Sequence, residues 1–162
     1  MQRSYVLFLA APERKNIMTH TDKGNYAAKH QATGSLNAAV VQAVKNAARN
    51  GTISCAAAHK IVRDCSVTPE EVGKALDAEE VQITLCQLGI FKHSADRPAK
   101  PVDLELTPEL EKALTAGLVN KRLPCKAAWS SSNHFGLTKR QIGAACDRLG
   151  IKINTCQLGT FG

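Results

Sequence analysis

The stretch Leu123–Phe161 reads LPCKAAWSSSNHFGLTKRQIGAACDRLGIKINTCQLGTF, and residues 53–91 carry a second version of it, ISCAAAHKIVRDCSVTPEEVGKALDAEEVQITLCQLGIF. The two stretches align without a gap at a constant offset of 70 residues, and about a third of the aligned positions are identical. Self-similarity at a fixed spacing is typical of a repeated structural unit. We therefore expect two copies of one fold.

Each copy has the pattern of two helices joined by a short turn. In the second copy, one helix is predicted from Cys125 to Phe135-Gly136 and another from Lys139 to Leu149. Thr138 is placed to cap the second helix, and Gly150 to end it in a left-handed conformation. In the first copy, Thr68 takes the capping place and Pro69 the first helical position, where its missing N–H does no harm. This is the helix-turn-helix pattern.

The repeat extends upstream and downstream of this pair of helices. Leu36, Val40 and Val44 fall at helical spacing and match Leu106, Leu110 and Leu114, so a further helix begins each copy. Short β-prone segments precede the middle helix, at residues 52–54 and 122–124, and follow the last one, at residues 81–91 and 151–161. The predicted fold class is mainly α with short β-strands, as two tandem winged-helix-like repeats of order helix, strand, helix, helix, strand.

Side chains within the repeat are assigned to two kinds of packing. Small residues are expected where the two helices of a copy meet, and Val72 and Ile142 are expected to point to the core. The set of small residues is Ala57, Ala58, Gly73, Ala127, Ala128 and Gly143. Both copies close with Cys-Gln-Leu-Gly-x-Phe, and we expect Phe91 and Phe161 to seal the core of their own copy.

Four segments follow from these boundaries: a flexible basic arm at residues 1–33, the first repeat at 34–93, a proline-containing linker at 94–105 and the second repeat at 106–162. No apolar run in the 162 residues is long enough to span a membrane. Residues 3–11 could be a short secretory signal, with an extension before Met18 as the alternative. We expect a cytoplasmic protein.

Charge differs strongly between the copies. The chain has a net charge of +7, which indicates a polyanionic partner. Residues 121–162 carry seven basic side chains and one acidic one, whereas residues 51–93 carry six acidic and four basic ones. The second repeat is therefore predicted to bind double-stranded DNA. The acidic first repeat is left as a scaffold, a homodimer surface or a site for a protein partner.

The front of the last helix carries the predicted DNA contacts, because the second helix of a helix-turn-helix presents its first turns to base edges. Arg and Lys suit guanine, Gln suits adenine, and cations elsewhere meet phosphates. Cations at a helix N-terminus are unfavourable unless an anion binds there, which favours a ligand at this point. The predicted nucleic-acid-binding residues are Lys139, Arg140, Gln141, Ala144 and Arg148, with Lys121 and Arg122 as backbone contacts.

Four of the six cysteines recur, Cys55 and Cys86 as Cys125 and Cys156. Pairing of the short strands would bring each recurring pair close together. Three interpretations stay open: buried thiols that pack in the core, disulfides, or a metal or redox-sensing site. The absence of a CxxC motif gives a metal site weak support, so no metal or other cofactor is predicted.

The doubled Cys-Gln-Leu-Gly-x-Phe, with Asp22-Lys-Gly-x-Tyr-Ala-Ala-Lys-His30, resembles a family of small uncharacterised bacterial proteins that carry this repeat. The resemblance covers nearly everything from Met18 onward and implies no activity. The repeat is also similar to winged helix-turn-helix proteins, which often regulate transcription and also serve as protein-binding modules.

An enzyme is not expected, because His59, Trp129 and His134 are scattered and form no acid–base pair at a telling spacing. Neither a glycine-rich phosphate loop nor an HExxH motif occurs. The leading hypothesis is a DNA-binding protein, for which transcriptional regulation is one role. A protein-interaction module is the alternative, and a thiol or metal sensor on the same fold is third.

Overall fold

A computed structural model describes residues 24–30, 35–90 and 102–161. The first repeat contains α1 (Ala38–Ala47), β1 (Thr52–Ser54), α2 (Cys55–Asp64), α3 (Pro69–Ala78) and β2 (Gln82–Leu85). The second contains α4 (Pro108–Ala116), β3 (Arg122–Pro124), α5 (Cys125–Phe135), α6 (Lys139–Arg148) and β4 (Lys152–Asn154). The fold is mainly helical with short strands, and both repeats have the predicted order of elements.

Local sequence accounts for the ends of the last helix in each copy. Thr68 accepts a hydrogen bond from the N–H of Glu71, and the Glu71 carboxylate accepts the N–H of Thr68. Thr138 and Gln141 form the same reciprocal capping box at the start of α6. Because a capping box satisfies two otherwise unpaired backbone donors, it fixes where each helix begins. Gly150 has the predicted left-handed conformation after α6, with φ of 68°.

The short strands pair in parallel, within each copy. β1 runs beside β2, and β3 runs beside β4 with Arg122 opposite Lys152 and Leu123 opposite Ile153. Parallel neighbours need a long crossover, which the two intervening helices supply. A wing is an antiparallel hairpin, and the paired strands of the described residues form none. The likeness to a winged helix is therefore confined to the helices.

Each repeat contributes one leucine to the core of the other repeat. Val44, Val72 and Leu76 belong to the core of the first repeat, and Leu158 of the second repeat is buried among them. Leu88 of the first repeat is buried in the second core, with Leu114 and Ile142. Val72 and Ile142 point to the core as predicted. Each closing turn therefore completes the core of the other copy.

The recurrence of glycine at Gly73 and Gly143 serves this exchange. A Cβ at Gly73 would lie 2.2 Å from the carbonyl oxygen of Leu158, and one at Gly143 would lie 1.8 Å from that of Leu88. These glycines therefore admit the closing turn of the other copy, a role that was not predicted from the sequence. Phe161 is half-buried, and the prediction for Phe91 lies outside the described residues. Leu88 and Leu158, from the same closing motifs, are buried in the cores.

Two preceding segments also lie against the repeats. Residues 24–30, which include a 3-10 turn at Tyr26–Lys29, bind α3 of the first repeat. This part of the predicted arm is docked. Leu104, from the predicted linker, is buried in the second core. No helix in the described ranges combines the length and the hydropathy needed to cross a membrane.

Candidate nucleic-acid interface

The predicted base-reading face of α6 contacts its own chain. The Nζ of Lys139 lies 4.2 Å from the centre of the Trp129 ring, a cation–π contact with α5. A Cβ placed at Gly89 would lie 2.9 Å from Nη1 of Arg140, so this guanidinium packs against the closing turn of the first repeat. Both side chains are half-buried. The first turn of α6 therefore faces protein.

The other predicted contacts on α6 hold the linker. Gln141 accepts the N–H of Thr138 and donates its amide N–H to the carbonyl of Asp103, 2.9 Å away. Arg148 donates to the carbonyl of Leu104 at 2.7 Å, and Ala144 packs against the second core. A base-reading role for these side chains stays a prediction, and it would require these contacts to be broken.

Exposed cations instead gather around β3 and β4. Lys121 and Arg122 precede and begin β3, Lys126 lies in the first turn of α5, and Lys152 begins β4. All four side chains are exposed. Lys126 follows Arg122 by four residues and therefore lies within about 14 Å of it. We call these four residues the basic strip.

Strand register places two members of the strip side by side. Arg122 and Lys152 are direct partners in the parallel pair, and partners across neighbouring strands project from the same face. Leu123, the next residue of β3, is fully buried on the opposite face. Like charges directly opposite each other destabilise a sheet. A bound anion would reverse this effect.

Lys121 has a backbone conformation that favours glycine. In the turn before β3, Asn120 and Lys121 both have positive φ, 51° and 62°. The matching turn in the first repeat has Asn50 and Gly51, with φ of 51° and 70°, and Asn-Gly is the preferred pair for a two-residue turn of this kind. A non-glycine residue in this region costs about 1–2 kcal/mol. The second copy carries a cation in spite of that cost.

Ion pairing separates the two copies further. Three lysines of the first repeat pair with neighbouring carboxylates, as Lys45–Glu79, Lys60–Asp64 and Lys74–Glu70. No described carboxylate lies within 4.0 Å of a charged nitrogen of the basic strip. The positive charge of the second repeat is therefore uncompensated at this surface, and the acidic residues of the first repeat are largely engaged within the chain.

Two members of the strip, Lys126 and Lys152, were missed from the sequence. A comparison of the copies position by position would have found them. The basic strip occupies the places of Gly51, Thr52, Ala56 and Gln82 in the first repeat, none of which is charged. The helix-turn-helix pattern indicates α6, and not the strands, as the contact surface.

The recurring cysteines meet at the seam between the two copies. Cys55 belongs to the first core, against which Cys156 packs, and Cys125 belongs to the second core, against which Cys86 packs. Gln87 and Gln157, from the closing turns, donate side-chain N–H groups to the Sγ atoms of Cys55 and Cys125. The glutamine of the repeated motif therefore binds a thiol in both copies.

Two of these thiols, Cys55 and Cys125, are buried, whereas Cys86 and Cys156 are half-buried. Burial raises the pKa of Cys55 to about 11 and also raises that of Cys125. All six cysteines are free thiols, and no three metal-ligating side chains in the described ranges lie close enough together to hold an ion. Since the thiolate is the reactive and metal-binding form, this geometry favours a packing role for the cluster.

Comparisons of the chain with protein-family models, with curated proteins and with solved structures gave no match.

Proposed function

We propose that this protein binds nucleic acid, with double-stranded DNA as the principal ligand, through the basic strip of the second repeat. The observation that carries the proposal is the pairing of Arg122 with Lys152 on an exposed face, next to Lys121 in a conformation that favours glycine. Duplex DNA presents a dense row of negative charges, and cations that neutralise phosphates release its counterions. Binding would place phosphates beside Arg122 and Lys152, and their attraction would offset the repulsion between these two cations.

Phosphate contacts, rather than base contacts, are what this surface supports. Phosphate contacts set position and affinity but carry no sequence information. The side chains suited to reading bases, Gln141 and Arg148, are bonded to linker carbonyls. We therefore propose binding without strong sequence preference. Transcriptional regulation at a defined site would need α6 to exchange the linker for DNA.

A salt titration with short random-sequence duplex DNA tests the proposal. Affinity should fall steeply as salt rises. A variant that replaces the strip with the matching residues of the first repeat, Lys121→Gly, Arg122→Thr, Lys126→Ala and Lys152→Gln, should bind weakly. Its slope of log K against log salt should be smaller by about 0.9 for each phosphate that the variant no longer neutralises.

A matched control removes as many cations from the first repeat. The variant with Lys45, Lys60, Arg63 and Lys74 changed to glutamine has the same net charge as the strip variant. It should keep most of the wild-type slope, because three of these cations are already paired with carboxylates. Equal losses of affinity in the two variants would show that net charge alone drives binding and would refute the assignment of the surface.

A third variant distinguishes the strip from α6. Lys139→Ala with Arg140→Ala should leave the salt slope close to that of the wild type, because both side chains pack against the chain itself. A loss of affinity as large as that of the strip variant would make the front of α6 the contact surface. No binding to duplex DNA at low salt would remove the proposed function altogether.

We also propose a cytoplasmic location. The six free thiols support it, since exposed and half-buried cysteines tend to form disulfides in oxidising compartments.

A further inference from the structure

Residues 24–30, the docked arm, are held by carboxylates at the end of α3. The Glu80 carboxylate accepts the backbone N–H groups of Tyr26 and Ala27, at 2.9 and 3.0 Å. His30 and Asp77 share a hydrogen bond of 2.8 Å between Nε2 and Oδ2. The Tyr26 side chain is buried by this docking, and burial together with the charges of Glu80 and Asp77 raises the pKa of its phenol.

The first repeat is specialised for these contacts. Glu80 has a φ of 52°, in the left-handed region, and the matching residue of the second repeat is Gly150, with a φ of 68°. A glutamate there is strained, and such strain persists where the surroundings make use of the residue. The use visible here is the pair of bonds to the arm. Asp77 is buried against His30, whereas its counterpart Asp147 is exposed.

The docking combines the burial of Tyr26 with polar contacts to carboxylates, and the polar contacts are open to competition. The arm is cationic by sequence, with Lys23, Lys29 and His30 in or beside the docked stretch. The hydrogen bond from Ala27 to Glu80 is exposed. A cationic segment held by carboxylates would gain from transfer to phosphates, because it would then release counterions from the nucleic acid.

We propose that the docked arm is a releasable strap: the acidic end of α3 holds it in the unbound chain, and duplex DNA bound at the basic strip draws it off. This inference rests on the proposed function. The carboxylates at the end of α3 then compete with phosphates for the arm, and release adds a basic segment to the complex, in the manner of arms that follow a nucleic-acid backbone.

Hydrogen exchange of the full chain, resolved at the amides of Tyr26 and Ala27, tests the strap with random-sequence duplex as the probe. Both amides should be protected in the free protein. Saturating duplex at low salt should speed their exchange by at least about tenfold, the amount expected when a hydrogen bond of ordinary strength is broken.

Two charge-matched variants separate the strap from general electrostatics. Glu80→Gln should expose the two amides without DNA and raise duplex affinity by about threefold or more, because the competitor is weakened. Glu79→Gln removes the same charge, but Glu79 pairs with Lys45 and not with the arm, so it should change affinity by less than about twofold. Glu80→Gly, which restores the residue of the second repeat, should behave like Glu80→Gln and guards against misfolding.

The outcomes distinguish the two proposals. Duplex that binds while Tyr26 and Ala27 stay protected would overturn the strap and leave the DNA-binding function standing. Equal effects of Glu79→Gln and Glu80→Gln on affinity would also overturn it. Failure of duplex to bind at all would refute both proposals.

Discussion

Because each closing turn packs on a helix of the other copy, a glycine-to-alanine substitution in that helix should lower the stability of the protein, which is opposite to the usual effect. Replacing glycine by alanine inside a helix normally stabilises it by about 1 kcal/mol. Gly143 lies within α6, yet its Cβ would stand 1.8 Å from the carbonyl oxygen of Leu88 and 2.9 Å from its carbonyl carbon. Both are backbone atoms, which cannot rotate away. Gly143→Ala should therefore destabilise the protein.

The magnitude follows from what must move. An ordinary van der Waals separation is 3.4 Å or more, so the closing turn must retreat by roughly 1.5 Å. Leu88 is 3% exposed in the second core, and emptying a buried leucine site costs about 2–5 kcal/mol. Partial withdrawal, offset by the helical preference of alanine, gives a net destabilisation of about 2–3 kcal/mol.

Urea unfolding followed by circular dichroism measures this destabilisation. Gly117→Ala is the control, because the first repeat has Ala47 at that position and the new Cβ meets only the end of the Leu123 side chain closely. It should change the free energy of unfolding by less than about 1 kcal/mol. Wild-type stability of Gly143→Ala would show that the turn is not seated on α6 and would refute the exchanged cores.

Three further predictions concern charge, backbone strain and thiols. Burial, and to a smaller extent the charges of Arg63 and Lys139, lower the pKa of His59 from 6.5 to about 4. The stability that comes from burying the neutral imidazole is therefore fully present above pH 6.5 and is lost as the pH falls from 6.5 through 4. Urea unfolding at several pH values should show that the wild-type free energy of unfolding falls by about 2 kcal/mol over this range, after allowance for solvent screening. His59→Gln should lack this fall, and equal pH profiles for the two proteins would refute the prediction. Lys121→Gly should raise the free energy of unfolding by up to about 1 kcal/mol and weaken DNA binding. Ser66→Gly, at another left-handed position, should also stabilise the protein but leave DNA binding unchanged. Calorimetry and DNA titration measure the two effects, and unchanged binding by Lys121→Gly would count against the basic strip. Burial raises the pKa of Cys55 and Cys146 to about 11, so both should react slowly with iodoacetamide at pH 8 by mass spectrometry; rapid labelling of the native chain would contradict their burial.

The helices and their ends were predictable because their causes are local. Thr68 and Thr138 cap α3 and α6 through residues three positions away. Spacing alone also identified Val72 and Ile142 as core residues. The surroundings of Lys139 were not predictable, since the Trp129 ring that covers it belongs to a different helix. A cation that looks exposed on a helical projection can still lie on a neighbouring element.

By itself, then, the sequence determined that two copies of one helical unit exist, where most of their helices begin and end, and that the second copy is the cationic one. Tertiary structure decided that the strands pair in parallel, that Leu88 and Leu158 each complete the other copy's core, and which cations remain exposed. The physical reason is that both copies carry the same closing motif. Either turn matches either core in local sequence, so only the packing of the whole chain selects between them.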